Sequence, residues 1–131
     1  MLKEKIKRRT LVYWLYIFYH LFFREKIFLR RKSYSQFGED YIIDKYFNNY
    51  VGKYVDIGCY HPIRYNNTQL LHMRGWNGIN IDINPTSIDL FNLLRKKDKN
   101  IHAAISDKTG QKKWGEIVGK VLTNSVYRLQ E

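Results

Sequence analysis

GKYVDIGCYHPIRYNNTQLLHMRGWNGINIDINP, residues 52–85, decides the fold. Tyr54, Val55 and Ile57 form a short aromatic and β-branched run, which predicts a strand with Asp56 at its carboxyl end. Gly58 follows with the conformational freedom that a tight strand-to-helix turn demands. Gln69 to Arg74 is a short helix candidate with Asn67 or Thr68 as its N-cap and Gly75 as its left-handed stop. Ile79, Ile81 and Ile83 then alternate with Asn80, Asp82 and Asn84, giving a second strand that ends at the Asn84-Pro85 turn. Two parallel strands joined by a helix make a right-handed βαβ unit, whose ligands lie outside the carboxyl ends of the strands. Asp82 sits at such an end. A carboxylate there can accept hydrogen bonds from both hydroxyls of a ribose, and the gap from Gly58 to Asp82 is close to the usual ~20 residues. The turn, however, reads Gly58-Cys59-Tyr60-His61-Pro62, with one glycine and then bulky residues. That disfavours an NAD-linked dehydrogenase, whose pyrophosphate needs close backbone approach and a bare helix N-terminus.

Further motifs flank this unit. Tyr34-Ser35-Gln36-Phe37-Gly38-Glu39-Asp40, Val55-Asp56-Ile57-Gly58, His61-Pro62, Asn67-Thr68, Gly75-Trp76, Gly78-Ile79-Asn80-Ile81-Asp82 and Ala104-Ile105-Ser106 occur in that order. Together, from about Tyr34 to Asp107, they resemble the ordered motifs of the FkbM-type S-adenosylmethionine-dependent methyltransferases. The resemblance implies an α/β fold: a Rossmann-like class I methyltransferase doubly wound sheet, here truncated after the third strand. It implies S-adenosylmethionine as cofactor, with Asp56 and Gly58 near its methionine end and Asp82 holding the ribose. It also implies methyl transfer to a hydroxyl oxygen of a small-molecule or glycan acceptor, a sugar or a polyketide-like compound. The family continues with a fourth strand carrying an acidic motif, followed by the elements that shape its acceptor site. This chain, ending at Glu131, reads as the front half of such a domain.

Charge divides the sequence in two. Net charge is +11, from 23 basic and 12 acidic residues. Residues 1–32 hold 10 basic and 2 acidic residues, +8, and the other 99 residues hold 13 and 10, +3. The basicity belongs to the N-terminal arm, which argues against a nucleic-acid-binding face on the body, and the arm contains no recognisable nucleic-acid module. Lys3, Lys5, Lys7, Arg8 and Arg9 precede the uncharged run Leu11 to Phe23, and Arg24, Lys26, Arg30, Arg31 and Lys32 follow it. As a helix, this 13-residue run is about 20 Å long, against roughly 30 Å of hydrocarbon to cross. Its tyrosines, Trp14 and His20 suit a membrane interface, and the flanking cations suit anionic headgroups. Residues 1–32 are therefore read as an amphipathic helix on an anionic membrane surface, ahead of a body over 33–131. Packing of this helix on the rest of the protein, or a tilted span, are the alternatives. No small-residue cleavage site follows the run, which argues against a secretory signal. Cys59 is the only cysteine, so no disulfide forms within the chain and no cysteine cluster can hold a metal. The expected location is cytoplasmic, peripheral on the inner membrane face.

Elsewhere the residues allow two readings each. Ser33-x-x-Gln36 fits a capping box, and Asp40 to Asn49 predicts a helix burying the stripe Ile42, Ile43, Tyr46 and Phe47. Asp40 either borders the cofactor or marks a helix start favoured by the dipole. His61 either bonds neighbouring backbone or acts as a base; Arg64 either pairs with a substrate anion or lies exposed. Asn66 and Asn67 are turn and cap residues or cofactor contacts. Cys59 has no activating base beside it, and Trp76 reads as core. Thr86-x-x-Asp89 fits a second capping box, opening a helix whose stripe Ile88, Leu90, Phe91 and Leu94 ends in Arg95, Lys96 and Lys97, cations that suit a helix C-terminus. Asn100 to Ile105 predicts a third strand; at its end Asp107 either accepts from an adenine amino group or belongs to a plain Asp-Lys-Thr-Gly turn. Lys112 to Ile117 and Val121 to Tyr127 read as an extended pair without chemistry. The alternative to an enzyme is a non-catalytic cofactor-binding remnant, or a piece dependent on a partner, because a bare edge beside the third strand would expose backbone hydrogen-bonding groups.

Overall fold

The computed structural model describes residues 10–24, 32–105, 110–112 and 126–129. The predicted βαβ unit is present: strand β1 (Lys53–Ile57), helix α3 (Gln69–Met73) and strand β2 (Asn77–Asp82) follow helices α1 (Leu11–Tyr19) and α2 (Glu39–Phe47). Helix α4 (Pro85–Leu94) and strand β3 (Lys99–Ile105) repeat the pattern, and two short strands, β4 (Gly110–Lys112) and β5 (Val126–Leu129), close it. Strands β1, β2 and β3 are parallel, with Val55 opposite Ile79 and Ile81 opposite Ile101. The result is an α/β structure with a three-stranded parallel sheet flanked by helices.

The parallel sheet does not stop at a bare third strand. The strand order is β1-β2-β3-β5-β4, and β5 pairs antiparallel with β3 through Ala104 and Tyr127. The expected bare edge beside the third strand is therefore covered, because the backbone groups on that edge of β3 find partners. Of the predicted extended pair, residues 113–125 lie outside the described residues; Lys112 falls at the end of β4, and Val126 and Tyr127 open β5.

Right-handed crossovers between strands laid down in one direction put α3 and α4 on one face. Tyr54 accordingly packs with Leu71 of α3 and Trp76, and its hydroxyl accepts from Arg95 beyond α4. Alternation sends Val55 and Ile57 to the opposite face, where they remain 61% and 55% exposed. Gly58 and Gly75 adopt φ of +72° and +94°, as the turn and the helix stop require. Gly78 is glycine for another reason: a Cβ there would lie 2.1 Å from the Tyr54 carbonyl oxygen across the ladder. Gly78→Ala is expected to force β1 and β2 apart and lower stability by about 3 kcal/mol, the upper end of overpacking costs, read as a shift of the urea midpoint.

Local signals were displaced in three places. The cap of α4 is Asn84, whose Oδ1 accepts from Thr86 N–H at 3.0 Å, with Pro85 in the first turn. Asp89 instead accepts from the Tyr13 hydroxyl, fastening α1 to α4 where Tyr13, Ile17 and Leu21 cluster with Leu90. Helix α2 starts at Glu39 behind Gly38, without the Ser33-Gln36 box, and splits its predicted core stripe: Ile43 and Phe47 pack against the Trp76 cluster, whereas Ile42 is 69% and Tyr46 82% exposed. Its buried residues are Asp40 and Asp44. Arg74, at the end of α3, grips Asp44 through both Nη2 and Nε.

Asp40 accounts for this orientation. Fully buried, it accepts from Ser33 Oγ, Tyr34 N–H, Ser35 Oγ and Tyr41 N–H at 2.6–2.9 Å. Burial pushes its pKa up, but the donors outweigh burial and hold it below 3.8. Its stabilisation is complete above that value and lost as pH falls through the lower native one. Asp40→Asn is expected to lower stability by about 1–3 kcal/mol at pH 7 and to flatten the loss of stability below pH ~4, measured by urea unfolding at pH 7 and pH 3.

Candidate functional site

The carboxyl ends of β1 and β2 meet in one turn. Gly58 and Cys59 both donate their N–H to the Ile81 carbonyl, at 2.8 and 3.2 Å, and Tyr60 N–H donates to Asp82 Oδ2 at 2.7 Å. Three successive amides of the turn are thus committed to the end of β2. A phosphate cradle needs such amides unpartnered. Above Gly58 the space is open, with nothing within 4 Å of where a Cβ would stand.

Two carboxylates flank this turn. Asp82 also accepts from Asn84 N–H at 2.7 Å through Oδ1, so each of its oxygens carries one backbone donor and keeps a second lone pair. Asp56 accepts from Thr68 Oγ1 at 2.9 Å and Asn66 Nδ2 at 3.2 Å, both on Oδ2. Burial raises the Asp56 pKa above its ordinary value, against the bonds from Thr68 and Asn66 and the charge of Arg95; the negative charge of Asp82 adds to the rise. Cys59, between them, is buried, and desolvation with the two carboxylates pushes its thiol well up, so it is no nucleophile.

The structure therefore brings Asp56, Gly58 and Asp82 together. Asn67 lies exposed beside them, and its neighbours Asn66 and Thr68 make the contacts to Asp56. Asp107 lies outside the described residues. His61 is buried, and its Nδ1 accepts from Ile63 and Arg64 N–H at 3.1 and 3.2 Å, the backbone role. Burial first, then Arg64, lowers its pKa to about 3, too weak a base for proton abstraction at neutral pH.

Arg95 is the residue that sequence reasoning missed. Placed as a cation at a helix C-terminus, it instead turns inward and is 1% exposed. Its Nη1 donates to Tyr54 Oη and Thr68 Oγ1, and its Nη2 to Pro62 O, Asn66 Oδ1 and Gln69 Oε1, all at 2.7–3.0 Å. Tyr54 in turn donates to Asp98, which also accepts from Asn80 Nδ2 and Gly78 N–H. One guanidinium thus fixes Thr68 and Asn66, the two donors that orient Asp56. Nothing in Leu-Leu-Arg-Lys-Lys distinguishes the first cation from the two after it. Compared with known proteins, the chain matches no family model, no curated protein and no solved structure.

Proposed function

We propose that the chain carries the cofactor-binding part of an FkbM-type methyltransferase domain and binds S-adenosylmethionine at Asp56, Gly58 and Asp82. The observation that carries this reading is the pairing of committed turn amides with two flanking carboxylates. Such a site has no place for the pyrophosphate of NAD but suits a cationic nucleoside. The carboxylate of Asp82 is placed to accept from ribose hydroxyls, and that of Asp56, oriented by Thr68 and Asn66, attracts the ammonium and sulfonium charges. When bound, S-adenosylmethionine supplies the activated methyl group for in-line transfer to an acceptor hydroxyl. The protein contributes positioning of both partners. In a thermal melt, S-adenosylmethionine and its demethylated product are expected to raise Tm, by ~2.7 kcal/mol of added stability at a hundredfold excess over Kd. NAD is expected to leave Tm unchanged; the reverse pattern would overturn the reading.

The arm supplies the proposed location. Among the described residues no helix is long and apolar enough to cross a membrane. One side of α1 is buried on α4, while Leu11, Leu15 and Phe18 on its outer side are more than half exposed, as is Phe23 in the π-helical turn His20–Arg24 that follows. Basic residues bracket that side in sequence, five before and five after. This combination fits an anionic lipid surface on the cytoplasmic side. The protein is expected to sediment with vesicles containing anionic lipid and to remain in the supernatant with neutral ones. Phe18→Glu is expected to weaken that binding by about tenfold or more, the worth of one buried aromatic ring.

A second reading, a piece that depends on a partner for its cofactor site, is favoured by one observation. Strand β1 forms one edge of the sheet, and its Val55 and Ile57 are more than half exposed. Folded chain that binds no cofactor would support it.

A further inference from the structure

Helix α2 leaves one side uncovered by the described residues. Asp40 and Asp44 take the buried side, and Ile43 and Phe47 meet the Trp76 cluster, so the outer side carries Tyr41, Ile42, Lys45 and Tyr46. Tyr41 is 51% exposed, and Phe37, just ahead of the helix, 88%. With Ile42 and Tyr46, these side chains expose roughly 500 Å², taking a whole aromatic side chain at about 200 Å². Apolar surface on that scale marks a contact site.

The charges on this side say what the contact is made with. Glu39 opens the helix and holds Phe37 N–H on one carboxylate oxygen at 2.9 Å. Lys45 stands six residues on, its ammonium 5.8 Å from the centroid of the Tyr41 ring. Ile42 lies midway between these opposite charges. One residue before Glu39, Gly38 leaves open space, with nothing within 4 Å of where a Cβ would stand. Such a face is complementary to itself. Where two identical helices cross antiparallel on a two-fold axis at Ile42, a residue n places before it faces the residue n places after it in the other copy. Glu39 of each copy then faces Lys45 of the other, the two Ile42 side chains meet on the axis, and each Tyr46 ring faces the open space at Gly38. An anionic membrane fits this face less well, because Glu39 would oppose its headgroups, whereas the run Leu11 to Phe23 is bracketed by cations.

We propose that the outer face of α2 is a two-fold interface between copies of this chain, centred on Ile42 and held in register by two Glu39–Lys45 pairs. The inference goes beyond the cofactor reading and does not rest on it. At roughly 500 Å² per copy the contact is smaller than the ~800 Å² of a standard interface, so the dimer is a reversible one that forms at micromolar concentrations.

The test is sedimentation equilibrium of the full chain from about 1 to 200 μM, with circular dichroism as the control for folding. A monomer–dimer equilibrium is expected, and Ile42→Asn is expected to weaken it at least ~10-fold. Lys45→Glu and Glu39→Lys each place two pairs of like charges across the axis and are expected to weaken it several-fold. An equimolar mixture of those two variants is expected to recover the dimer, because both contacts again join opposite charges. That recovery separates a lost contact from a damaged helix; if Glu39→Lys does not fold, Ile42→Asn and Lys45→Glu decide between them. Folded chain that stays monomeric throughout overturns the proposal, as does a dimer that survives Ile42→Asn and Lys45→Glu, or a mixture of folded variants that fails to recover. Vesicle binding lost on Ile42→Asn in a chain that stays monomeric also overturns it and assigns the face to lipid.

Discussion

Replacing Arg95 with methionine is expected to lower the stability of this protein by about 3–5 kcal/mol, a large part of the 5–15 kcal/mol that a domain of this size has. Methionine fills much of the same volume, so the loss comes from polarity and not from a cavity. Without the guanidinium, Pro62 O and Asn66 Oδ1 lose a buried donor, and the buried Asp98 and half-buried Asp56 lose the cation that is bonded to their own donors, Tyr54 for Asp98 and Thr68 and Asn66 for Asp56. Arg95→Lys is expected to recover only part of the loss, because an ammonium cannot reach across five acceptors with a planar fork. Urea unfolding monitored by circular dichroism measures both. A loss below about 1 kcal/mol for Arg95→Met would mean that water replaces the guanidinium without penalty and that the network is not what holds the 59–69 loop.

The second large effect concerns ligand affinity. Asp82→Asn keeps the side-chain shape and one carbonyl oxygen, so either the Tyr60 or the Asn84 amide retains its acceptor. The negative charge and the second acceptor are lost. Hydrogen bonds to a charged group are worth about 1.5–3 kcal/mol, so affinity for S-adenosylmethionine is expected to fall about 10- to 150-fold. Thermal unfolding of the variant is the control that separates this from damage to the loop. Unchanged affinity in a folded Asp82→Asn protein would move the ribose-binding role away from this residue.

The parts legible in the sequence are those decided within a few residues. Gly58 and Gly75 announce positive φ because no other residue takes it without strain, and the Ile79-Ile81 alternation announces a half-covered strand. These local facts, with the right-handed crossover rule, suffice to place Asp56 and Asp82 at neighbouring strand ends. What the sequence hid was decided between distant residues. The apolar stripe of α2 predicts burial of all four of its residues, but the helix is rolled by the four hydrogen bonds that fix Asp40 and by Arg74 on Asp44, so that Ile43 and Phe47 meet the Trp76 cluster while Ile42 and Tyr46 face out. Asp89 resembles a capping partner of Thr86 until Tyr13, far upstream, supplies its donor. Arg95 resembles a solvated helix end until the loop from Pro62 to Gln69 closes over it. The pairing of β5 with β3 depends on a four-residue strand whose register nothing local specifies.

Calorimetric titration of the unaltered chain with S-adenosylmethionine, with NAD as the comparison, tests the central assignment most directly. The account predicts saturable binding of S-adenosylmethionine at one site per chain and no heat of binding with NAD. Folded protein that takes up no S-adenosylmethionine, or that takes up NAD in preference, would contradict it.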